Sequence, residues 1–225
     1  MELIHLKKIV LEDITLQVKK GEKVAILGKN GSGKTTLLKI ISGVLKQNSG
    51  SIEIEENKSQ IDEICIINAN DRSFFWRLTV RENLYFFYTL SKDKFENKLK
   101  EVCRLLRIEH LLKSRYMTLS SGEKKKIQLA RSLMREPKIL IMDEALSSLD
   151  INTKNIFLSE LDNLLNLGLL DAILFTSHSD EEIINFADRF VFLKNGKISK
   201  SLKNPRSLTA NDFVKLLVEI GRAHV

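Results

Sequence analysis

The sequence predicts an α/β domain with a mainly parallel sheet, an antiparallel β subdomain and an inserted helical lobe. Short continuous apolar runs, typical of strands buried on both faces, alternate with segments of helical periodicity. A long helical stretch between about residues 72 and 135 interrupts this alternation. Strands that alternate with helices form mainly parallel sheets. The chain has 225 residues, 43% of them apolar, which suffices for one well-filled core.

The first part of the chain contains short strands around one buried strand. Ile14, Leu16 and Val18 alternate with polar residues, which predicts a half-buried strand. The run KVAIL, residues 23–27, predicts a buried strand that leads into a glycine loop and then into a helix. Further short strands are predicted at SIEIE and ICII, residues 51–55 and 64–67.

The helical lobe, about residues 72–135, contains two helices with clear signals. Thr79 and Glu82 have the spacing of a capping box, which predicts a helix start. A second helix is predicted with one buried face, because apolar residues recur there at helical spacing. These residues are Phe95, Leu99, Val102, Cys103 and Leu106.

The last part of the chain returns to alternating strands and helices. KILIM and AILFT, residues 138–142 and 172–176, predict buried strands, and Asn195-Gly196 predicts the type I′ turn of a closing hairpin. Between the two strands, apolar residues at 157, 158, 161, 164 and 165 predict a helix. We expect one domain over residues 1–218. Residues 219–225 are set apart, because EIGRAHV resembles a sequencing-library adapter translated in frame.

Composition and charge exclude several classes of protein. The two cysteines, Cys65 and Cys103, are far apart in the sequence, which argues against a disulfide framework or a zinc site and indicates the cytosol. No apolar stretch predicts a membrane span. The formal net charge of +7 suits nucleic acid, an anionic membrane surface or a phosphate-rich ligand. We interpret the run Lys124-Lys125-Lys126 as the solvated face of a helix.

The glycine loop after the first buried strand has the spacing of a phosphate-binding loop. Its sequence GKNGSGKT fits G-x-x-x-x-G-K-[ST], with a strand before it and a helix after it. Glycines let backbone N–H groups wrap phosphates, the lysine reaches the β and γ oxygens, and the hydroxyl ligates magnesium. A P-loop NTPase core is therefore predicted. Its nucleotide-binding residues are expected to be Gly28, Lys29, Asn30, Gly31, Ser32, Gly33, Lys34, Thr35 and Thr36.

Two acids follow the predicted strand KILIM. A carboxylate at the end of a buried strand beside the loop is suited to hold Mg²⁺, which points to Asp143, and Glu144 is placed to polarise an attacking water. Without the loop, a helix N-cap and a first-turn charge would explain the pair equally well. We expect Thr35 and Asp143 at the metal, and Lys34 and Glu144 in catalysis.

A second helix start also has the makings of an anion site. LSSGE, residues 119–123, precedes a helix, and Ser120 and Glu123 have capping-box spacing. With GKNGSGKTT, LSSGEKKKIQLARSLM, ILIMDEALSSLD and TSH in this order, the sequence resembles the nucleotide-binding domain of an ABC (ATP-binding cassette) ATPase over about residues 1–200. LSSGE matches the signature of that family, normally LSGGQ.

The resemblance implies ATP and Mg²⁺ as cofactors and a second nucleotide-binding subunit in a head-to-tail pair, with a homodimer expected. In this pair the signature faces the γ-phosphate that the other subunit holds. The resemblance therefore assigns Ser120, Gly122 and Glu123 to nucleotide binding.

Two further residues match the family singly. Asp150 matches the aspartate loop that contacts the partner's phosphate loop, and the alternative is the N-cap of the following helix. His178 matches the switch histidine that orients the γ-phosphate and the water, and the alternative is a satisfied polar group. Its place after a buried strand favours the catalytic assignment, because ligands bind at the carboxyl ends of parallel strands.

Two positions depart from the family pattern. Where members have a glutamine that contacts magnesium, this sequence has Asn70, which we expect at the metal, with Asn68 and Asp71 as candidate substitutes. Where members stack adenine on an aromatic ring, this sequence has His5, for which no role is assigned.

An aromatic strip follows, RSFFWRLTVRENLYFF, residues 72–87. It resembles the corresponding strip in cassettes of small exporters with ABC-2 type membrane subunits. Phe74, Phe75 and Trp76 are consecutive and cannot all point inward, so an apolar docking patch for a membrane partner is expected.

These motifs predict an ATP-hydrolysing subunit that dimerises around two Mg·ATP and powers a separate integral membrane permease. The expected location is the cytoplasmic face of the cell membrane, the expected direction is export, and no nucleic-acid partner is expected. Two alternatives stay open. One is a cassette that acts on nucleic acid or ribosomes, which the net charge of +7 alone supports. The other is a regulatory module that binds ATP without turnover.

Overall fold

The described chain folds around a six-stranded sheet. The structure, a computed structural model, describes residues 11–53, 63–69, 73–88, 92–205 and 208–219. The strands in spatial order run β2-β3-β4-β1-β5-β6, and all neighbours are parallel except β5 and β6. They are β1 (Glu22–Leu27), β2 (Ile64–Asn68), β3 (Ile139–Asp143), β4 (Ala172–Thr176), β5 (Arg189–Lys194) and β6 (Lys197–Lys203).

Every connection between successive strands contains a helix, except the turn between β5 and β6. The described helices are α1 (Lys34–Ile41), α2 (Val80–Phe86), α3 (Lys92–Leu106), α4 (Ser121–Leu133), α5 (Ile151–Asn166), α6 (Asp180–Phe186) and α7 (Ala210–Glu219). The predicted α/β class with a mainly parallel sheet is confirmed. Within the described residues, no helix is long and apolar enough to cross a membrane.

The core lies in two layers because successive side chains of a strand point to opposite faces of the sheet. On β1, Val24 and Ile26 pack in a cluster with Leu37 and Leu38 of α1. The other side chains of the same strand face a larger cluster that includes residues of α2 to α7. The sheet therefore separates α1 from the rest of the helices.

Local sequence signals placed the helix starts correctly. Thr79 caps α2 and Ser120 caps α4, and both form complete capping boxes, with Glu82 and Glu123 respectively. All five apolar residues predicted on one face of α3 are buried. Asn195 and Gly196 both have positive φ, 50° and 80°, in the turn between β5 and β6, as a type I′ turn requires.

The prediction of a strand at residues 14–18 is wrong. Ile14, Leu16 and Val18 are half-buried and pack against the α1 side of the core, so the alternation identified the covered face. The segment is nevertheless not a strand. Alternation reports burial, whereas a strand also needs a hydrogen-bonded neighbour. Residues 51–53 are likewise not a strand, and residues 54–55 of that prediction lie outside the described residues.

Candidate functional site

The parallel strands bring the sequence-predicted polar residues to one edge of the sheet. The phosphate loop follows β1, Asp143 ends β3, and Thr176 ends β4. Because β4 lies between β1 and β3, its carboxyl end stands between the loop and the acids. Ligands bind at this edge in open α/β sheets.

Helix α1 begins with an open amino terminus. Its N-cap is Gly33, whose φ is 107° and which has no side chain to accept a hydrogen bond, and its first turn contains no acid. The first N–H groups of a helix have no partner within the helix and carry the positive end of its dipole. The start of α1 can therefore accept an anion without displacing a side-chain cap.

The loop before α1 forms a cradle that a larger residue would fill. A Cβ atom on Gly28 would lie 2.4 Å from the carbonyl oxygen of Leu193 and 2.5 Å from Ser32 Oγ. Ser32 Oγ is buried and has no hydrogen-bond partner. The ammonium of Lys34 donates to the carbonyl oxygens of Gly28, at 2.9 Å, and Lys29, at 3.2 Å. A spare buried hydroxyl and a lysine held in the loop fit a phosphate ligand.

The two acids after β3 lie beside His178. Glu144 Oε1 accepts a hydrogen bond from His178 Nε2 at 2.8 Å, and both side chains are partly exposed. Asp143 Oδ1 accepts from Thr176 Oγ1 at 2.8 Å, and the same Oγ1 accepts from the Glu144 N–H at 2.9 Å. A carboxylate paired with an imidazole can orient a water molecule and take its proton.

The buried acid Glu182 holds the loop that carries His178 through a hydrogen bond to Ser177. Ser177 Oγ donates to Glu182 Oε2 at 2.9 Å and accepts from the Ser179 N–H at 3.0 Å. Burial raises the pKa of Glu182, and the Ser177 hydrogen bond partly offsets this rise. A cavity of about 260 Å³ opens beside this loop, lined by Glu144, Leu146, Ser147, Lys154, Ser177, His178 and Ser179.

A larger cavity of about 620 Å³ lies at the opposite edge of the sheet, where β1 and β5 begin. Two of its charged side chains are paired with each other, since Arg189 Nε donates to Glu22 Oε1 at 2.6 Å. None of the phosphate-loop residues line it, and neither Asp143 nor Glu144 does. We therefore assign the site to the carboxyl edge despite its smaller cavity.

The start of α4 is closed by its own side chains. Glu123 Oε2 accepts from the Ser120 N–H at 2.8 Å, and Ser120 Oγ accepts from the Glu123 N–H at 3.3 Å. Gly122 packs so closely on α5 that a Cβ there would lie 2.7 Å from Thr153 Cγ2. Through Gly122, the start of α4 thus lies against the start of α5.

Asp150 is the N-cap of α5, the alternative that the sequence left open. Its Oδ1 accepts from the Thr153 N–H at 3.0 Å, and its Oδ2 accepts from the Thr153 hydroxyl at 2.7 Å. The Thr153 hydroxyl and N–H hold the pKa of the Asp150 carboxyl below its ordinary value. Capping does not exclude the second role, because the start of α5 lies next to the signature residues.

The prediction that Lys124-Lys125-Lys126 forms a solvated helix face is wrong. Lys125 is only 3% exposed, and its ammonium donates to the carbonyl oxygens of Asn68 and Ala69 and to Gln128 Oε1, at 2.6, 2.9 and 3.1 Å. Lys126 pairs with Glu160 of α5 at 2.6 Å. Lys124 lies over the ring of Trp76, 5.7 Å from its centroid. This run fastens α4 to its neighbours.

The aromatic strip places one ring in the core and leaves its neighbours outside. Phe74 is buried, whereas Phe75 and Trp76 are 43% and 60% exposed. Phe86 is exposed as well and contacts Phe75, with ring centroids 4.6 Å apart. We call Phe75, Trp76, Phe86 and the neighbouring exposed Met117 the aromatic patch.

Several expectations fall on residues that the structure does not describe. Asn70 and Asp71 lie outside the described residues, as do His5 and residues 220–225 of the tail. Asn68 is described and ends β2, where it is the register partner of Asp143.

Sequence reasoning missed Thr176, Thr153, Glu182 and Lys125. Thr176 had a readable signal: like Asp143, it is a polar residue at the end of a buried apolar strand. Lys125 also had one, because it precedes the buried Gln128, Leu129 and Ser132 at helical spacing.

Comparison with known proteins agrees with this geometry. A family model described as ABC transporter matches residues 11–147. The chain belongs to the ABC transporter family. The resemblance noted in the sequence is thereby confirmed, and membership supports ATP with Mg²⁺ as the ligands of the site.

Relatives within the ABC transporter family include two ATP-binding proteins. The molybdate/tungstate import ATP-binding protein WtpC of Pyrococcus abyssi is 35% identical over 200 residues, which are 85% of this chain and 58% of the relative. The spermidine/putrescine import ATP-binding protein PotA of Mycoplasma mycoides is 34% identical over 205 residues, 86% of this chain and 57% of the relative. The chain therefore spans less than two thirds of the length of either.

A solved structure shows the same fold. The structure of cbiO1 from Clostridium perfringens, part of the ABC transporter complex cbiONQ, has a TM-score of 0.77 at 27% identity and covers 92% of this chain and 87% of its own. Both relatives above are named as import proteins, so the expectation of export has no support from them.

Proposed function

We propose that this chain is the ATP-hydrolysing subunit of an ABC transporter. One observation carries the proposal: three features lie at the same edge of the sheet. They are the uncapped start of α1, the acid Asp143, and the pair of Glu144 and His178, whose Oε1 and Nε2 atoms are 2.8 Å apart. Phosphoryl transfer to water requires these three parts: an anion cradle, a metal ligand and a group that positions the water.

Each residue has a role that follows from its place. The loop residues Gly28 to Thr36 hold the phosphates with backbone N–H groups, and Lys34 offsets the charge on the β and γ oxygens. Thr35 and Asp143 would hold Mg²⁺, with Asn70 as a further candidate, and Mg²⁺ when bound supplies charge neutralisation to the phosphates. Glu144 orients the attacking water, and His178 holds Glu144 and contacts the γ-phosphate.

The start of α4 supplies the second half of a shared site. Gly122 lies close to Thr153, whose hydroxyl donates to Asp150, so the start of α4 and the Asp150 cap are neighbours. Two copies arranged head to tail would bring this region of one copy to the phosphate loop of the other. ATP then holds the dimer closed, and hydrolysis removes the γ-phosphate and lets the dimer open.

A separate integral membrane permease is the proposed partner, with the chain peripheral on the cytoplasmic face of the membrane. The aromatic patch supports this, since its large exposed apolar side chains suit a protein interface. The names of the two relatives favour import over export. Their cargoes are an oxyanion and a polyamine, so they share a direction and not a substrate.

Turnover is tested first. Purified protein should hydrolyse ATP in the presence of Mg²⁺, and Glu144→Gln should bind ATP with little turnover. If wild-type protein binds ATP but hydrolyses no more than Glu144→Gln, the regulatory module is the better assignment. Recovery of the chain with ribosomes and not with membranes would favour the nucleic-acid alternative.

The shared site is tested by mass in solution. Glu144→Gln should convert from monomer to dimer when Mg·ATP is added, and Ser120→Arg in the same background should abolish this conversion. Thr118→Arg, which adds the same charge at an exposed position just before the signature, is the matched control and should leave the dimer intact. Equal loss of the dimer in both variants would contradict a specific role for the signature.

A further inference from the structure

One hydroxyl connects the two acids of the proposed site. Thr176 is 2% exposed at the end of β4, directly opposite Asp143 in the parallel register of β3 and β4. Its Oγ1 donates to Asp143 Oδ1 at 2.8 Å and accepts from the Glu144 N–H at 2.9 Å. The sequence analysis assigned this residue no role, although it is the first residue of the TSH motif.

The hydroxyl of Thr176 acts both as a donor and as an acceptor. A threonine hydroxyl has one proton, and here that proton goes to the Asp143 carboxylate. Because this proton points to Asp143, the direction of the hydroxyl lone pairs is determined as well. One of them accepts from the Glu144 N–H. A β-branched side chain is stiff at χ1, which holds the oxygen in place.

The backbone at Glu144 needs such support. Its φ is 51°, in the left-handed region that residues with a Cβ atom rarely adopt. This conformation directs the chain, and with it the Glu144 side chain, as it leaves β3. The hydrogen bond from the Glu144 N–H to Thr176 is a contact that stabilises this conformation without involving the side chain that pairs with His178.

We propose that Thr176 is a positioning residue that aligns the Asp143 carboxylate and the Glu144 backbone with each other. The inference rests on the proposed function, because it assigns these acids to the metal and to the water. Thr176 itself touches neither. Its effect should therefore appear in turnover and in the Mg²⁺ dependence of ATP binding, and not in the ATP affinity measured without Mg²⁺.

The activity test compares two substitutions of the same residue. Thr176→Val keeps the shape and removes the hydroxyl, and Thr176→Ser keeps the hydroxyl and removes the methyl group. Thr176→Val should lower kcat about 10- to 100-fold, as expected for one charge-assisted hydrogen bond, with Thr176→Ser within about threefold of wild type. ATP affinity without Mg²⁺ should stay within about twofold in both variants, because the phosphate loop is untouched.

A generic loss of stability is separated by a control. Thr118→Val removes a surface hydroxyl, which donates to the Arg115 carbonyl oxygen at 2.8 Å, and it should leave kcat unchanged. The proposal is overturned if Thr176→Val keeps kcat within about twofold of wild type, or if Thr176→Ser loses as much as Thr176→Val.

A second readout needs no turnover. Amide hydrogen exchange of Glu144, measured on the free protein, should be about tenfold faster in Thr176→Val and unchanged in Thr176→Ser, because the hydrogen bond that protects this N–H is lost only in the first. Unchanged exchange in Thr176→Val overturns the inference. Faster exchange with unchanged turnover also overturns it, because the alignment of Asp143 and Glu144 by this contact then has no effect on the reaction.

Failure of the proposed function would look different. Wild-type protein would then show no turnover above Glu144→Gln, whatever occupies position 176. In that case the gain in ATP affinity on adding Mg²⁺ replaces kcat as the readout. Thr176→Val should lose this gain and Thr176→Ser should keep it, and equal gains in all three proteins would overturn the positioning role.

Discussion

The starts of helices α1 and α4 differ in how their N–H groups are used. At α1 the N-cap is Gly33, no side chain caps the helix and the first turn has no acid. At α4, Ser120 and Glu123 complete a capping box, and the Glu123 carboxylate already lies against the helix start. The first is open to an anion, and the second carries an anion of its own.

This difference indicates what each helix start can do alone. The start of α1 can bind phosphate directly, because no side-chain cap has to be displaced. At the start of α4, a phosphate must compete with Glu123, so binding is favourable only when other contacts contribute. A partner subunit that presents its bound nucleotide would supply such contacts, which is consistent with a site that forms only in a dimer.

The largest effect is expected at the open start. Gly28→Ala should lower ATP affinity about 100-fold, because its Cβ would meet the Leu193 carbonyl oxygen at 2.4 Å and a backbone atom there cannot move aside. Isothermal titration measures this. Gly50→Ala is the control: it has φ 88° and is strained in open space, so it should reduce stability and leave ATP affinity intact. An affinity within about threefold of wild type for Gly28→Ala would contradict the cradle.

Gly122→Ala tests the closed start. The added methyl group would lie 2.7 Å from Thr153 Cγ2 and should weaken ATP-dependent dimerisation about 10- to 30-fold while ATP affinity stays unchanged. Analytical ultracentrifugation in the Glu144→Gln background measures the dimer. Alanine favours a helix more than glycine does, so a loss would not come from helix propensity.

The same position offers a rescue. Thr153→Ser removes the methyl group that clashes and keeps the hydroxyl that donates to Asp150 Oδ2. The double variant Gly122→Ala, Thr153→Ser should therefore recover the dimer. If it does not, the defect of Gly122→Ala lies at the surface that meets the partner and not in its packing on α5.

Lys125→Met tests how α4 is tied to the edge that carries the acids. It should lower the free energy of unfolding by about 1–3 kcal/mol, because the Asn68 and Ala69 carbonyl oxygens lose a buried donor. Urea denaturation measures this. The control Lys113→Met, at an exposed position, should change stability by less than about 0.5 kcal/mol. Equal effects of the two substitutions would refute a fastening role for Lys125.

The smallest effect is expected from Glu123→Gln. The amide keeps an oxygen that can accept from the Ser120 N–H and removes the negative charge at the helix start. ATP-dependent dimerisation should tighten about two- to fivefold, the range expected for one charge in the first turn of a helix. Glu101→Gln, at an exposed position of α3, should leave the dimer unchanged. Weaker dimerisation of Glu123→Gln would show that the carboxylate assists the shared site.

Features that depend on a few neighbouring residues were predictable from the sequence. The strands β1, β3 and β4 are continuous apolar runs, and the two capping boxes need only residues three positions apart. The phosphate loop and the two acids were also predictable. Each directly follows a buried strand in the sequence, and parallel strands bring their carboxyl ends to the same edge of the sheet.

Features that depend on neighbours far along the chain were not predictable. The alternation at residues 14–18 identified a covered face and could not show that no strand forms there. Lys125 stands in a run of three lysines, and only the position of the β2 exit shows why its ammonium is buried.

By itself the sequence determined the family, the fold class, the strands β1, β3 and β4 and the starts of α2 and α4, because these follow from local spacing. The tertiary structure alone decided that Thr176 joins Asp143 to Glu144 and that Gly122 packs on Thr153. Both contacts depend on strand register and on the packing of α4 against α5. Register and packing are determined by the whole core, so no short stretch of sequence specifies them.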